Sequence, residues 1–493
     1  MTENGKTIDF IIRFSSTLFI NQIIGIHSRF IQVLFIFSRR NFMFDLMVIG
    51  GGPAGYYAAE KAGAAGLSVA LVEKGHLGGV CLNEGCIPSK TLLYSSKLFT
   101  LAKNSEPFGV SASGVTFDMP RVMARKQKII TSQRDGIAFT LKKNNVSVRF
   151  GAARLLAKKD DAFQMEVNGE IIEGKRLLLC TGSEALRLSI PGTDLPHVLT
   201  NKEILSIDSI PKNLVVIGAG IIGLEMAAFF AEIGGSVTVI ELLPFIGGAI
   251  DAEIGLVLKK ELEKKGIRFH LHARVSAINE HTVTFEETDS ASTAAADIVL
   301  ISVGRRPMTG DVGLENVGVL VERGAVCTND KGRTNVPGIW AAGDVNGKSM
   351  LAHTAYREAQ VCVDDILGRD SSVNYDAIPG VIYTHPEAAW VGVTMAEAEK
   401  RGFSCLSAKL PLSYNGRYRA ETEAGRGFCK VIVDAASRRL LGVHMIGSAC
   451  SEMIFGAAAM IERKMTVEDI GSVVFPHPTV SEIIKDTILQ VQG

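Results

Sequence analysis

The pattern GxGxxG occurs twice in this chain, as Gly50-Gly-Gly52-Pro-Ala-Gly55 and as Gly218-Ala-Gly220-Ile-Ile-Gly223. Each copy follows an apolar stretch, Phe44-Asp-Leu-Met-Val-Ile or Leu214-Val-Val-Ile, and opens a helical one. A second apolar stretch then ends in an acid: Leu67 to Val72 before Glu73, and Val237 to Ile240 before Glu241. Gly50 and Gly218 stand 168 residues apart, and so do Glu73 and Glu241. One copy would be weak, because turn chemistry alone can place glycines. Two copies with the same strand context and glycine-to-acid spacing predict a dinucleotide-binding βαβ unit used twice. The first Gly makes the tight turn, the second admits the pyrophosphate, and the third lets helix and strand touch. The helix N-terminus faces the phosphates, and the acid accepts from a ribose. Two bound dinucleotides suit an electron relay between a flavin and a nicotinamide. Glu241 would repel a 2′-phosphate, and Leu242 and Leu243 follow it rather than arginines, which favours NAD over NADP.

The 493 residues allow about three domains at ~150 residues each. With 52 basic and 52 acidic residues, the net charge of zero gives no bulk basicity to hold nucleic acid. Residues 1–42 are compositionally apart, with 7 of the 23 Phe. Their uncharged run, Phe14 to Ser28, falls short of the ~20 apolar residues of a spanning helix. They read as a leader that is disordered or a mis-assigned start. Membrane contact is expected only if that leader is real, and the localisation expected is cytoplasmic.

Cys81 and Cys86 lie in Leu77-Gly-Gly-Val-Cys81-Leu-Asn-Glu-Gly-Cys86-Ile-Pro-Ser-Lys90. A regular helix would hold cysteines five apart beyond disulfide reach. A bridge needs an irregular turn, which Gly78, Gly79 and Gly85 permit, and Pro88 can open the helix that follows. Two buried thiols or half of a metal site are the other readings. The remaining six cysteines form no CxxC and no Cys/His cluster, so no metal is expected. Glu225, in the apolar run Ile221 to Phe230, must find a partner or protonate. Thr479-x-x-Glu482 reads as a capping box before Ile483-Ile484, and His477, before Pro478, as extended loop. His270, His272, His281 and His444 show no ligand spacing and read as ordinary surface or loop residues.

From Phe44 onward the chain resembles the pyridine nucleotide–disulfide oxidoreductases. The segment Gly79 to Lys90 resembles their redox-active disulfide, and its Leu-Asn and Ile-Pro-Ser-Lys elements resemble the lipoamide branch rather than the glutathione reductase branch. Val80 and Glu84 stand where Thr and Val are common. Leu177-Leu-Leu-Cys-Thr181-Gly182 resembles the strand closing the FAD domain. Thr334 to Asp344 resembles the second FAD motif, whose Asp binds the ribitol. Met350-Leu351-Ala352-His353 resembles the helix start facing the flavin pyrimidine. Weaker likenesses put Ala153 at the FAD adenosine, and Val275 and Gly304 near NAD.

The resemblance implies an α/β fold with two Rossmann-like dinucleotide-binding domains, FAD and NAD, and a C-terminal α+β dimerisation domain. The implied divisions are 43–190 and 305–374 for FAD, 191–304 for NAD and 375–493 for the interface. FAD would take Gly50, Gly52, Gly55, Glu73, Gly79, Lys90 and the second-motif residues; NAD would take Gly218, Gly220, Gly223 and Glu241. Cys81 and Cys86 become the redox disulfide, Lys90 the partner of Glu225, and His477 a base oriented by Glu482. The implied activity is oxidation of dihydrolipoyl-lysine, on a carrier protein of a 2-oxo acid dehydrogenase complex or glycine cleavage system, with reduction of NAD+, in a homodimer. A glutathione reductase-like enzyme and a flavin-binding structural subunit are the alternatives.

Overall fold

The computed structural model describes residues 43–287, 290–423 and 425–491; the leader expectation for residues 1–42 lies outside them. Two five-stranded parallel sheets repeat one design. In the first, the strand order is Ile339–Ala341, Leu177–Leu179, Leu46–Ile49, Val69–Glu73, Ser147–Phe150. In the second it is Val198–Leu199, Ile298–Ile301, Asn213–Ile217, Ser236–Ile240, Arg268–His270. The strand that runs into the glycines is central in both. Such strands are covered on both faces, which is why they read as unbroken apolar runs. Leu46, Met47 and Val48 are fully buried, as are Val215 and Val216.

The stretch expected as one strand from Phe44 splits at Asp45. Met43–Phe44 pairs with Glu173–Gly174 in a separate, mainly antiparallel sheet. The break has a physical cause: the Asp45 carboxylate turns to accept from the Ser68 amide at 3.0 Å and hydroxyl at 2.8 Å. A three-stranded antiparallel sheet, Ala273–Ile278, Thr282–Glu287 and Ser290–Ala295, sits beside the second parallel sheet.

Ile339–Ala341 returns the chain to the first sheet after the second is complete. The C-terminal region is a five-stranded antiparallel sheet, Gly380–Ile382, Glu387–Gly392, Leu440–Gly447, Phe428–Asp434 and Cys405–Pro411. Helices Cys450–Glu462 and Glu482–Leu489 pack on it through Ile454, Ala457, Ile483 and Ile484. His444 corrects the expectation of a surface or loop residue. It is fully buried in the middle of this sheet, its Nε2 donating to the Val393 carbonyl at 3.0 Å. Among the described residues no helix is long and apolar enough to cross a membrane, and no cluster of His, Cys, Asp or Glu could hold a metal ion.

Candidate active site

Both glycine motifs open a 12-residue helix, Pro53–Ala64 and Ile221–Glu232, whose N-cap is a glycine with no side-chain cap. Helix Ala352–Ile366 likewise starts without a side-chain cap, after Leu351. An uncapped helix start leaves amide N–H groups for an outside acceptor and carries partial positive charge. Each acid is pinned by backbone. Glu73 accepts from Gly51 N and Gly75 N, both at 2.6 Å. Glu241 accepts from Ala219 N at 2.6 Å and Leu243 N at 2.8 Å. Each carboxylate oxygen keeps lone-pair capacity for a ribose hydroxyl. A Cβ on Gly55 would stand 1.7 Å from the Gly50 carbonyl oxygen, and one on Gly223 2.1 Å from that of Gly218, so only glycine allows the helix to close on the strand. Three uncapped helix starts and two fixed acids fit two dinucleotides and a flavin carbonyl.

The redox segment folds as two helices, Gly79–Glu84 and Cys86–Lys103, broken at Gly85 (φ −152°, ψ −107°). This is the irregular turn that the five-residue spacing requires. Pro88 falls in the first turn of the second helix, where its missing N–H costs nothing. The turn brings the Cys81 thiol into a hydrogen bond with Cys86. That bond and the Lys90 charge outweigh burial and pull Cys86 down to about 7. The same bond, with burial, pushes Cys81 well up.

Lys90, one turn after Cys86, donates to Glu225 at 2.8 and 2.9 Å. The Glu225 side chain is 3% exposed. Burial alone would lower the Lys90 pKa, but Glu225 holds it above its ordinary range. Removing one partner of such a pair strands a buried charge, at a cost of about 3–5 kcal/mol. Sequence reasoning missed Tyr383, which completes this corner. Its amide donates to Glu225 at 3.1 Å, and its ring lies 4.4 Å from the Lys90 nitrogen.

Thr181 donates to the Met308 carbonyl at 2.5 Å, and Gly182 accepts from Met308 N. Asp344 accepts from Ser183 Oγ at 2.5 Å, and Ser183 is held in turn by Arg305 at 2.7 Å. Arg305 also donates to Asn201, whose amide donates to the Glu84 carbonyl. Arg305 thus ties the Asp344 corner to the redox turn. It directly follows Gly304, and the sequence pattern singles out only that glycine. Glu358, also missed, accepts from Gly343 N at 2.6 Å and fixes the backbone before Asp344. Met350 precedes the Leu351 cap, and His353 Nε2 donates to the Pro379 carbonyl at 2.8 Å. Ala153 and Val275 lie in the two smaller sheets, half-buried, and Gly304 has φ +122° beyond strand Ile298–Ile301.

His477 stands apart from this assembly. Its Nδ1 lies 3.0 Å from Glu482 Oε1, and its side chain is 82% exposed. Glu482 also accepts from Thr479 N at 2.9 Å, so it caps the turn and orients the imidazole at once. The Thr479 amide and His477 together hold the Glu482 carboxyl below its usual range. The reciprocal half of the capping box is missing: the Thr479 hydroxyl donates to the Pro476 carbonyl instead. The His477–Pro478 peptide is cis. Among the described residues no hydrogen bond or ion pair joins His477 to Cys81 or Cys86.

Comparison with known proteins places these features in context. Residues 44–359 match the family Pyridine nucleotide-disulphide oxidoreductase, and residues 378–488 match the dimerisation domain of that family. A dihydrolipoyl dehydrogenase of Cupriavidus necator is 38% identical over 464 residues, covering 91% of this chain and 98% of its own. Dihydrolipoyl dehydrogenase 1, mitochondrial, of Arabidopsis thaliana is 38% identical over 457 residues, 90% of each chain. The crystal structure of LpdA from Mycobacterium tuberculosis superposes with TM-score 0.85 at 26% identity, over 91% of this chain and 100% of that one.

Proposed function

Because the chain belongs to the pyridine nucleotide-disulphide oxidoreductase family, we propose that it is a dihydrolipoyl dehydrogenase, oxidising dihydrolipoyl-lysine on a carrier protein and reducing NAD+. The observation that carries this reading is the Cys81–Cys86 contact at the start of a helix whose next turn presents Lys90 on Glu225. The proposed division assigns 43–190 and 305–374 to FAD, 191–304 to NAD and 375–493 to the dimer interface.

FAD would be held by Gly50, Gly52, Gly55, Glu73, Gly79, Lys90, Ala153, Thr181, Gly182, Asp344 and the 350–353 helix start. NAD would be held by Gly218, Gly220, Gly223, Glu241, Val275 and Gly304. When bound, the two supply two-electron storage and hydride exchange beside the cysteine pair.

The chain's own residues account for the thiol chemistry. The partner's His477, oriented by Glu482, takes a proton from the dithiol. The thiolate attacks Cys81, the enzyme S–S bond breaks, and Cys86 leaves with the electron pair. Its low pKa makes it the better leaving group of the two thiols, and Lys90 shelters the charge. The second substrate thiolate then displaces Cys81 and closes the substrate disulfide. The exposure of His477 in one protomer supports a site completed by a second copy.

The deciding assay compares dihydrolipoamide-dependent reduction of NAD+ and NADP+ with NADPH-dependent reduction of glutathione disulfide. Turnover of dihydrolipoamide with NAD+ is expected. Glutathione reduction in its place would transfer the chain to the other branch, and no turnover in either direction would leave a structural flavin-binding subunit.

A further inference from the structure

The break at Gly85 is formed by the redox segment but held from outside it. Helix Gly79–Glu84 is only 6 residues long, and its last carbonyls have no partner within it. The Glu84 carbonyl, directly before the break, accepts from the Asn201 side-chain amide at 2.8 Å. Asn201 is 8% exposed, so that bond is shielded from water. Gly85 in turn lies close on Cys81: an ideal Cβ there would meet the Val80 carbonyl oxygen at 3.2 Å and the Cys81 Cα at 3.7 Å. The peptide that Asn201 holds is therefore the one that carries Cys86 back to Cys81.

Asn201 itself is fixed. It opens helix Asn201–Ile204, whose start is secured by the reciprocal capping box of Thr200 and Glu203. Its Oδ1 accepts from Arg305 Nη1 at 3.2 Å. The rest of the Arg305 fork is taken by Ser183, with Nε on the hydroxyl and Nη2 on the carbonyl, both at 2.7 Å. Strands Ser183–Ala185 and Arg305–Pro307 pair antiparallel. They lie on the two segments by which the chain leaves the first parallel sheet for the second and returns. Arg305 is thus anchored where the two sheets are joined, and an amide polarised by a guanidinium is the stronger donor on its other side. Lys202 reaches the same turn, 3.0 Å from the Glu84 carboxylate, but it is 62% exposed, and such ion pairs contribute little. The buried bond to the carbonyl is what fixes the backbone.

We propose that Asn201, with Arg305 behind it, is a positioning residue of the redox turn: by holding the Glu84 carbonyl it keeps Cys86 against Cys81 and so sets the contact between the two sulfurs in the reduced pair. This rests on the redox reading of the two cysteines given above. On reduction their S–S bond breaks and takes up two electrons and one proton, leaving Cys81 as thiol and Cys86 as thiolate. The hydrogen bond from Cys81 and then the Lys90 charge keep that thiolate, against burial. The groups facing Cys86 are Cys81 and Lys90 on its own segment, Glu225 on helix Ile221–Glu232, Tyr356 on helix Ala352–Ile366, Tyr383, and Arg305 itself. Asn201 carries no charge, so a neutral replacement reaches the thiolate only through the position of the turn.

The test is the pH dependence of the long-wavelength charge-transfer band in flavin-loaded enzyme reduced by two electrons with dithionite. Asn201→Leu keeps the volume and removes both donor and acceptor without adding charge. Its midpoint is expected to rise by about one pH unit, a tenfold loss of thiolate below both midpoints. Asn201→Ala should show a rise in the same direction. Lys202→Ala, which removes the exposed pair and leaves the carbonyl bond, should keep the wild-type midpoint. Flavin content should match wild type in all three, and a role in stability alone would not move the midpoint of flavin-replete enzyme. A wild-type midpoint in either flavin-replete Asn201 variant overturns the proposal. So does an equal rise in Lys202→Ala, which would make charge rather than backbone position the cause. Loss of flavin from both Asn201 variants also overturns it, by placing Asn201 in cofactor retention. Absence of the band in wild type would instead refute the redox reading of Cys81 and Cys86, and with it the ground of the proposal.

Discussion

In the first βαβ unit, Gly52 faces the redox segment at Gly79: a Cβ on Gly79 would stand 2.6 Å from the Gly52 Cα, and one on Gly52 would meet the Gly79 Cα at 3.7 Å. In the second unit the equivalent Gly220 has no atom nearer than the Ser302 carbonyl oxygen, at 4.0 Å from its ideal Cβ. Up to that point the units match, with the same strand order, φ +102° at both Gly50 and Gly218, and the same pair of amides on the acid. The first unit is roofed by the redox segment. The second is open, and Leu242, Leu243 and Phe245 at its rim are 57%, 46% and 48% exposed. The difference teaches how one binding device serves two ends. A roofed site suits a cofactor that stays, and an open one suits a cofactor that exchanges at every turnover.

The sharpest way to break this comparison is to damage each unit at its equivalent of the roof. Gly79→Val, at φ +57° and against backbone, should abolish flavin retention and with it all turnover. Gly220→Ala should keep flavin content and raise the KM for NAD+ severalfold, because it crowds the pyrophosphate approach. Absorbance of the purified variants reads the first effect, and steady-state kinetics the second. Flavin loss from Gly220→Ala would end the distinction between the two units.

A second test asks whether the roofed side alone is finished by another chain. His477→Ala should lower dithiol-dependent turnover by roughly 10²–10⁴-fold and leave NADH-to-ferricyanide activity nearly intact. Glu482→Gln should cost less, since it orients the ring rather than moving the proton. A verified mixed dimer of Cys81→Ser and His477→Ala chains should show about half of wild-type activity. One site then collects both lesions and the other stays whole. Near-zero turnover would mean that each site is built within one chain.

These contrasts also mark how far the sequence could be read. Local periodic features were legible. The two glycine motifs fixed the central strands and their helices, and the Cys81–Cys86 spacing demanded the break seen at Gly85. A carboxylate in an apolar helix announced a partner, and Lys90 is that partner. What stayed hidden depends on contacts between distant segments. Arg305 meets Ser183 across 122 residues, and Tyr56 meets Tyr356 across 300. Neither pairing has a local period to betray it. His444 misled for a related reason: a histidine in an apolar strand looks like an exposed alternate position unless the opposite face is known to be covered. The early end of the Met43–Phe44 strand likewise followed from Asp45 meeting Ser68, just before strand Val69–Glu73, a tertiary contact overriding strand propensity.

The open unit has its own test, smaller in size. Glu241 is held by two amides with its remaining lone pairs outward, and no arginine follows it. NAD+ should therefore exceed NADP+ in kcat/KM by at least tenfold, about 1.4 kcal/mol. Equal use of both would refute the reading of Glu241 as a ribose acceptor.

The smallest effect separates the units by pH. Cys86 is drawn down to about 7 by the Cys81 hydrogen bond and the Lys90 charge, against burial and the opposing charge of Glu225. A thiol so lowered is mostly thiolate above that pH and mostly neutral below it. The groups facing it are Cys81 and Lys90 on its own segment, Glu225 on helix Ile221–Glu232, and Tyr383 from the C-terminal region. If Cys86 is the sulfur next to the flavin, the two-electron-reduced enzyme should show a long-wavelength charge-transfer band. That band should fade as pH falls through about 7, losing half its amplitude near the midpoint. Cys86→Ser should remove the band at every pH, while Cys81→Ala should keep a band, with its midpoint raised because the hydrogen bond from Cys81 is gone. Glu241→Gln, in the open unit, should leave the midpoint where it was. A midpoint that moved with Glu241 but not with Cys81 would mean that the two units are electrostatically joined, and that the roof over the first does not isolate its chemistry from the second.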